Sequence, residues 1–320
     1  MDKPQLHFII SAPRSGSTWL TTALNGHPEI FGTEQRLFGD FCEIWQNNDG
    51  TSAPRITFDK FAKSFGMHYF YQFMNRDYGG FVEDFQKSFI NFMSHFASAR
   101  TGKKIIVDKI TPYPGTAQLV VSEIERMFPE AKIIHLVRDG RDVLTSGTFD
   151  WLLKDSDGTD RHEFYFKPIP GMRLERFFDA KVIKKWAANW CETIDIFADK
   201  EPAVRIKYEE MKDDMHEVLA KIFEVLGVES SEAIVDKCVA DSTFKRMSGR
   251  SPGQEDPTAK ARKGIAGDWK NYFTLPDGEL FDALAGEQMA QMGYEPNSDW
   301  VKELDLKLNM FREPGVDYRV

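Results

Sequence analysis

Leu6-His7-Phe8-Ile9-Ile10-Ser11-Ala12-Pro13-Arg14-Ser15-Gly16-Ser17-Thr18-Trp19 decides how the rest of the chain folds. Residues 6–11 are a short apolar run rich in strand formers, Pro13 and Gly16 mark a loop, and a helical pattern follows from about Ser17 to Asn25. Such a loop aims several backbone N–H groups at one point, and the helix dipole favours negative charge there. A phosphate or sulfate fits, and Arg14 adds a permanent cation. Two other readings stand beside this one. The first is a nucleoside-triphosphate loop of the form G-x-x-x-x-G-K-[ST], but Ser11 stands where its first Gly belongs and Ser17 where its Lys belongs. The second is a structural turn without a ligand.

Working outward, residues 103–108, 132–137 and 203–207 repeat the short buried-strand pattern, with helical stretches at 116–127 and 178–199. The alternation predicts an α/β fold in which a central parallel sheet carries helices on both faces, within one domain spanning 1–320. Ligands of open parallel sheets bind beyond the carboxyl ends of the strands, and those ends carry Arg14, Lys109 and Arg138. Residues 56–100 form an aromatic-rich helical insertion, read as two helices joined around Asp77-Tyr78-Gly79-Gly80. Most of its rings have the spacing of a packed core, and the rest are available to wall a pocket. Residues 155–172, with Gly, Pro and no clean period, read as a lid-like loop, and 245–267 as a second loop able to cap a ligand.

The 320 residues carry a formal net charge of −9, the wrong sign for a general nucleic-acid binder. Local convergence of cations can still hold an anion on an acidic protein. Cys42, Cys191 and Cys238 are widely spaced and odd in number, as expected of reduced thiols, and no metal-ligand cluster is visible. The first residues run straight into a strand, with neither signal peptide nor membrane anchor, so a soluble cytoplasmic protein is expected.

Two further constellations add cations. Leu136-Val137-Arg138-Asp139-Gly140-Arg141-Asp142-Val143-Leu144-Thr145-Ser146 reads as a strand, a turn and a helix, presenting a guanidinium and the Ser146 hydroxyl to a second anion. Ala261-Arg262-Lys263-Gly264-Ile265-Ala266-Gly267-Asp268-Trp269-Lys270 sets adjacent cations between glycines that permit close backbone approach. Two anion sites on neighbouring strand ends suggest a bis-phosphorylated nucleotide.

In these motifs, their order and their spacing, the chain resembles the cytosolic-type sulfotransferases, which use 3′-phosphoadenosine-5′-phosphosulfate (PAPS). The likeness runs from residue 6 to about 295 and implies a P-loop-like three-layer fold with PAPS as co-substrate, adenosine 3′,5′-bisphosphate (PAP) as product and no metal. It implies that Arg14, Ser15, Gly16, Ser17, Thr18 and Trp19 hold the donor's 5′ end. Arg138 and Ser146, with Arg262, Lys263 and Gly264, would hold the 3′-phosphate. Tyr208, Ser242, Phe244 and Met247 would line the adenosine. The acceptor would be a small, partly apolar molecule bearing a hydroxyl or, less readily, an amine.

The chain also departs from that pattern. Arg14 stands where animal members have Lys, as in bacterial and tyrosyl-protein relatives. Animal members also carry a His base in a Lys-Thr-His segment, where this chain has Asp108-Lys109-Ile110-Thr111. Glu34, in a loop position similar to that of the catalytic Glu in tyrosyl-protein and heparan-type sulfotransferases, becomes the expected base, with Asp108 and His68 as substitutes. Arg14 and Lys109 would then stabilise charge on the transferring group. Residues 270–279 resemble the family's dimer-forming segment, with Leu275 in place of Val, which implies a homodimer. The competing classes are a kinase-like phosphotransferase and a nucleotide-binding module without catalysis.

Overall fold

In the computed structural model, residues 3–34, 78–112, 114–154, 177–256, 259 and 261–306 are described. The opening apolar run is strand β1 (Gln5–Ile10), and the helical pattern after the loop is α1 (Ser17–Asn25). There follow β2 (Ile30–Glu34), α2 (Tyr78–Thr101), β3 (Ile105–Ile110), α3 (Ala117–Met127), β4 (Ile133–Val137), α4 (Gly140–Lys154), α5 (Ala180–Asp195) and β5 (Val204–Lys207). Helices α6 (Tyr208–Asp213), α7 (Met215–Leu226), α8 (Glu232–Asp241), α9 (Phe244–Ser248) and α10 (Leu275–Gln291) complete the described order, with 3-10 turns at Asp268–Asn271 and Ser298–Glu303.

The five strands pair in the order β2-β3-β1-β4-β5, all parallel. Side chains of a strand point alternately to opposite faces. In β1, Ile9 packs with α1, α7 and α8, whereas Phe8 and Ile10 pack with Ile90 of α2 and with α3. Phe8, Ile9 and Ile10 are fully buried, a gain of about 1.5–3 kcal/mol for each side chain withdrawn from water. Both faces of the sheet are therefore covered, which gives the three layers the alternation predicts. A third cluster joins α4, α5 and α10 through Trp190, Phe281 and Trp269, and it fixes the segment after residue 261 against β4.

Three expectations change. Glu34, expected at a loop position, instead ends edge strand β2, in register with Lys109. Strand β3 begins two residues later than expected and includes Lys109, because pairing with β1 and β2 continues to Ile110. Tyr78, Gly79 and Gly80 form the first turn of α2 rather than a joint between helices; Ile90 and Ser94, buried further along, tie that helix down. The part of the insertion before residue 78, the lid-like loop 155–172, His68 and Cys42 lie outside the described residues. Among the described residues no helix is long and apolar enough to cross a membrane.

Two strand histidines are buried uncharged. Burial, and then nearby Arg205, push His135 from 6.5 to about 3; burial, and then Lys132, push His7 to about 4. Each folded-state value lies below the unfolded one, so the unfolded chain binds more protons at mildly acid pH, and stability falls as pH drops through 6.5. Between pH 7 and 5 this amounts to about 2 kcal/mol for each histidine. Urea unfolding at the two pH values should show the fall, and His135→Gln should remove roughly half of it. An unchanged pH dependence in the variant would contradict the assignment.

Candidate functional site

The loop between β1 and α1 is shaped by two left-handed residues around Ser15. Gly16 has φ +91, and Arg14, at φ +69, is the one non-glycine with positive φ among the described residues. A side chain in this region costs on the order of 1–3 kcal/mol and persists where surrounding contacts impose it. Here Arg138 Nη1 donates to the Arg14 carbonyl at 3.1 Å, and Arg14 Nε donates to Ser146 Oγ at 3.1 Å. Gly16 cannot be replaced for a second reason, since a Cβ there would lie 2.5 Å from the Tyr208 ring. Trp19 meets the same ring edge-on at 5.7 Å.

Arg138 leaves the end of β4 and joins three parts of the chain. Besides the Arg14 carbonyl it reaches the Ile265 carbonyl at 3.0 Å, the Asp142 carboxylate at 3.4 Å and the face of Tyr208 at 4.3 Å. Burial works against its charge, but Asp142, Tyr208 and Glu209 more than offset it, holding the pKa above the usual guanidinium value. Asp142, in α4, uses both oxygens to accept the backbone N–H of Gly267 at 2.8 Å and of Trp269 at 3.0 Å. Lys212 Nζ donates to the Gly264 carbonyl at 2.9 Å. Gly264, at φ +66, lies under the Phe244 ring, 2.5 Å from where a Cβ would sit. Residues 264–269 thus form a strap across the ends of β1 and β4.

Arg262 and Lys263 turn toward carboxylates. Arg262 Nη1 donates to Glu255 at 2.5 Å and Nη2 to Asp268, its guanidinium lying over Phe149 at 4.3 Å, while Lys263 Nζ meets Asp268 at 2.8 Å. Burial alone would raise the Asp268 pKa, but Arg262 and Lys263 bring it down to about 2. Arg262 nevertheless lies near enough to Arg138 to oppose its charge.

On the other side of the loop, Lys109 Nζ donates to Thr18 Oγ1 at 3.2 Å and pairs with Glu34 at 3.5 Å. Glu34 is partly exposed, whereas Asp108 is fully buried and accepts from Thr33 Oγ1 at 2.6 Å. Ser242 is buried, its hydroxyl donating to the Cys238 carbonyl at 2.9 Å, and Met247 is half-buried on α9 beside Phe244.

The predicted residues therefore fall into neighbouring groups. Arg14, Ser15, Gly16, Trp19, Arg138, Ser146 and Tyr208 are linked by direct contacts or chain continuity, and Gly264 joins them through the strap. Ser17 opens α1, and Thr18, Lys109 and Glu34 form the second group. Arg262 and Lys263 stand with Asp268. Sequence reasoning missed Asp142 and Lys212, although Asp142 lies one helical turn beyond Arg138, a spacing that brings side chains together.

The site also fits a polyanion. The Arg138 Nε, Arg262 Nε and Trp19 Nε1 donors and the Ser15 hydroxyl are buried with no hydrogen-bond partner. Buried donors are rarely left in this state, and a bound anion would supply acceptors. No group of residues able to hold a metal ion occurs among the described residues.

The chain is similar to known sulfotransferases. Over 218 residues the chain is 28% identical to a guinea pig protein named 3-beta-hydroxysteroid sulfotransferase, covering 63% of this chain and 71% of the relative. It is 25% identical over 306 residues to bovine sulfotransferase 1E1, covering 90% and 84%. The fold is shared with mouse sulfotransferase SULT7A1, solved as a complex with PAP, at a TM-score of 0.51 and 19% identity over 94% of this chain and 88% of that one. The sulfotransferase domain family matches residues 4–293, nearly the whole described structure, and the chain belongs to that family.

Proposed function

We propose that the chain binds PAPS across the ends of β1 and β4 and transfers its sulfuryl group to a hydroxyl of a small, partly apolar acceptor. The observation that carries this reading is the reach of Arg138, which ties the 5′-end loop, the strap and Asp142 into one site while its Nε donor stays unpartnered. The backbone N–H groups of residues 15–18 would hold the 5′-phosphate at the N-terminus of α1. Arg138, Ser146, and the Arg262-Lys263-Gly264 segment would hold the 3′-phosphate. Tyr208, Trp19, Ser242, Phe244 and Met247 would border the adenosine.

Transfer of this kind needs in-line positioning and stabilisation of charge on the departing oxygen, with no covalent enzyme intermediate. The acceptor oxygen forms the new S–O bond as the bond from sulfur to the 5′-phosphate oxygen breaks, and PAP departs with that oxygen. Lys109, held between Thr18 and Glu34, and Arg14, held by Ser146, would meet the developing charge. Glu34 would take the acceptor's proton; its exposed carboxylate can meet an incoming hydroxyl, whereas Asp108 is sealed beneath Thr33.

The name of the guinea pig relative supports a hydroxyl acceptor. The kinase-like alternative is disfavoured, because Ser17 stands where a nucleoside-triphosphate loop needs Lys. A cytoplasmic location belongs to the same reading and is supported by the free thiols of Cys191 and Cys238. Homodimerisation through 270–279 would rely on Lys270 and Glu279, the exposed residues of that segment, since Tyr272, Phe273, Thr274 and Asp277 are buried.

Two experiments test the proposal. Incubation with sulfur-labelled PAPS and a panel of alcohols, phenols, sterols, lipids and peptides should label at least one hydroxyl acceptor; labelling of none would contradict catalysis. With an acceptor in hand, Glu34→Gln should lower kcat by roughly a hundredfold or more while leaving PAP affinity within about twofold. Near-normal turnover would remove Glu34 from the role of base.

A further inference from the structure

An arginine at the centre of the capping loop belongs to none of the motifs. Arg250 Nη1 donates to the carbonyls of Gln254 at 2.6 Å and Arg262 at 2.7 Å, and Nη2 donates to the carbonyl of Ala261 at 2.5 Å. Its guanidinium lies over the Phe244 ring at 5.7 Å, and its own N–H donates to Ser248 Oγ at 3.2 Å. Backbone bonds from Gly253 N to the Lys263 carbonyl and from Asp256 N to the Arg262 carbonyl close the loop around it. The planar five-donor fork of arginine suits such a cluster of acceptors; a lysine ammonium is a point donor on a flexible stem.

The positions of these carbonyls have a consequence for the site. A trans peptide unit is planar, with C=O and the following N–H pointing opposite ways. Turning the carbonyls of Ala261 and Arg262 toward Arg250 therefore turns the amides of Arg262 and Lys263 away from it. The same guanidinium steadies Phe244, whose ring packs directly on Gly264. The strap continues at once to Ile265, whose carbonyl accepts from Arg138.

We infer that Arg250 is a positioning residue for recognition of the 3′-phosphate, acting through the backbone of Arg262, Lys263 and Gly264 without touching the ligand. This rests on the proposed donor site. A purely structural role would lower thermal stability without changing which phosphate the site recognises. Arg250 is only half-buried, in a loop away from the three apolar clusters, so its replacement spares the core.

The test is titration calorimetry of native protein, Arg250→Ala and Arg250→Lys with PAP and with 5′-AMP, which lacks the 3′-phosphate. The native protein should bind PAP at least about tenfold more tightly than 5′-AMP. Arg250→Ala should weaken PAP binding by about tenfold while leaving 5′-AMP within about twofold, with Arg250→Lys between. A native PAP to 5′-AMP ratio retained in Arg250→Ala, whatever its melting temperature, would overturn the inference, as would equal weakening of both ligands. Failure of the native protein itself to prefer PAP would overturn the donor-site reading and the inference with it.

Discussion

The largely buried guanidinium of Arg138 is the contact on which the site depends. Removing an arginine from water costs several kcal/mol unless charge and hydrogen bonds compensate. Here the compensation comes from parts of the chain that must meet for the site to exist: the Arg14 carbonyl, the Ile265 carbonyl, Asp142 and the Tyr208 ring. The Arg138 carbonyl is held as well, by the indole N–H of Trp190 at 2.9 Å, which anchors the end of β4 to α5. Asp142 extends the arrangement by accepting two amides of the strap, so one ion pair fixes both the loop after β1 and the segment before α10.

The parallel sheet explains why this works. β1 lies between β3 and β4, and all their carboxyl ends open on the same edge. Lys109 arrives on one side of the Arg14 loop and Arg138 on the other. Addition of β2 at the edge puts Glu34 beside Lys109, giving the arrangement a carboxylate on the side away from the strap. One side of the loop thus carries a candidate base and a cation, and the other carries the residues suited to a nucleotide phosphate.

Much of this was legible in the sequence where the signal is local. The β1-loop-α1 unit was readable because an apolar run, a Pro and Gly loop and a helical period adjoin one another, and Arg138 and Lys109 because they close apolar strand patterns. Strand β2 was hidden because Gly32 interrupts a run of only five residues, and its pairing with β3 comes from more than seventy residues away in the chain. The partners of Asp142 lie 125 and 127 residues downstream, so nothing local marks that carboxylate as a backbone acceptor. Arg262 and Lys263 were legible as cations but not as partners of Glu255 and Asp268, since competition between a carboxylate and a phosphate is decided by how the loop folds.

The most direct test of the central claim is calorimetric titration of PAP into native protein and into Arg138→Gln, with circular dichroism used to check that the variant is folded. The uncharged amide cannot replace the guanidinium's contacts with anions, so affinity should fall by about tenfold or more in a folded variant. A folded Arg138→Gln protein that binds PAP as tightly as the native one would contradict the assignment of this guanidinium to the nucleotide.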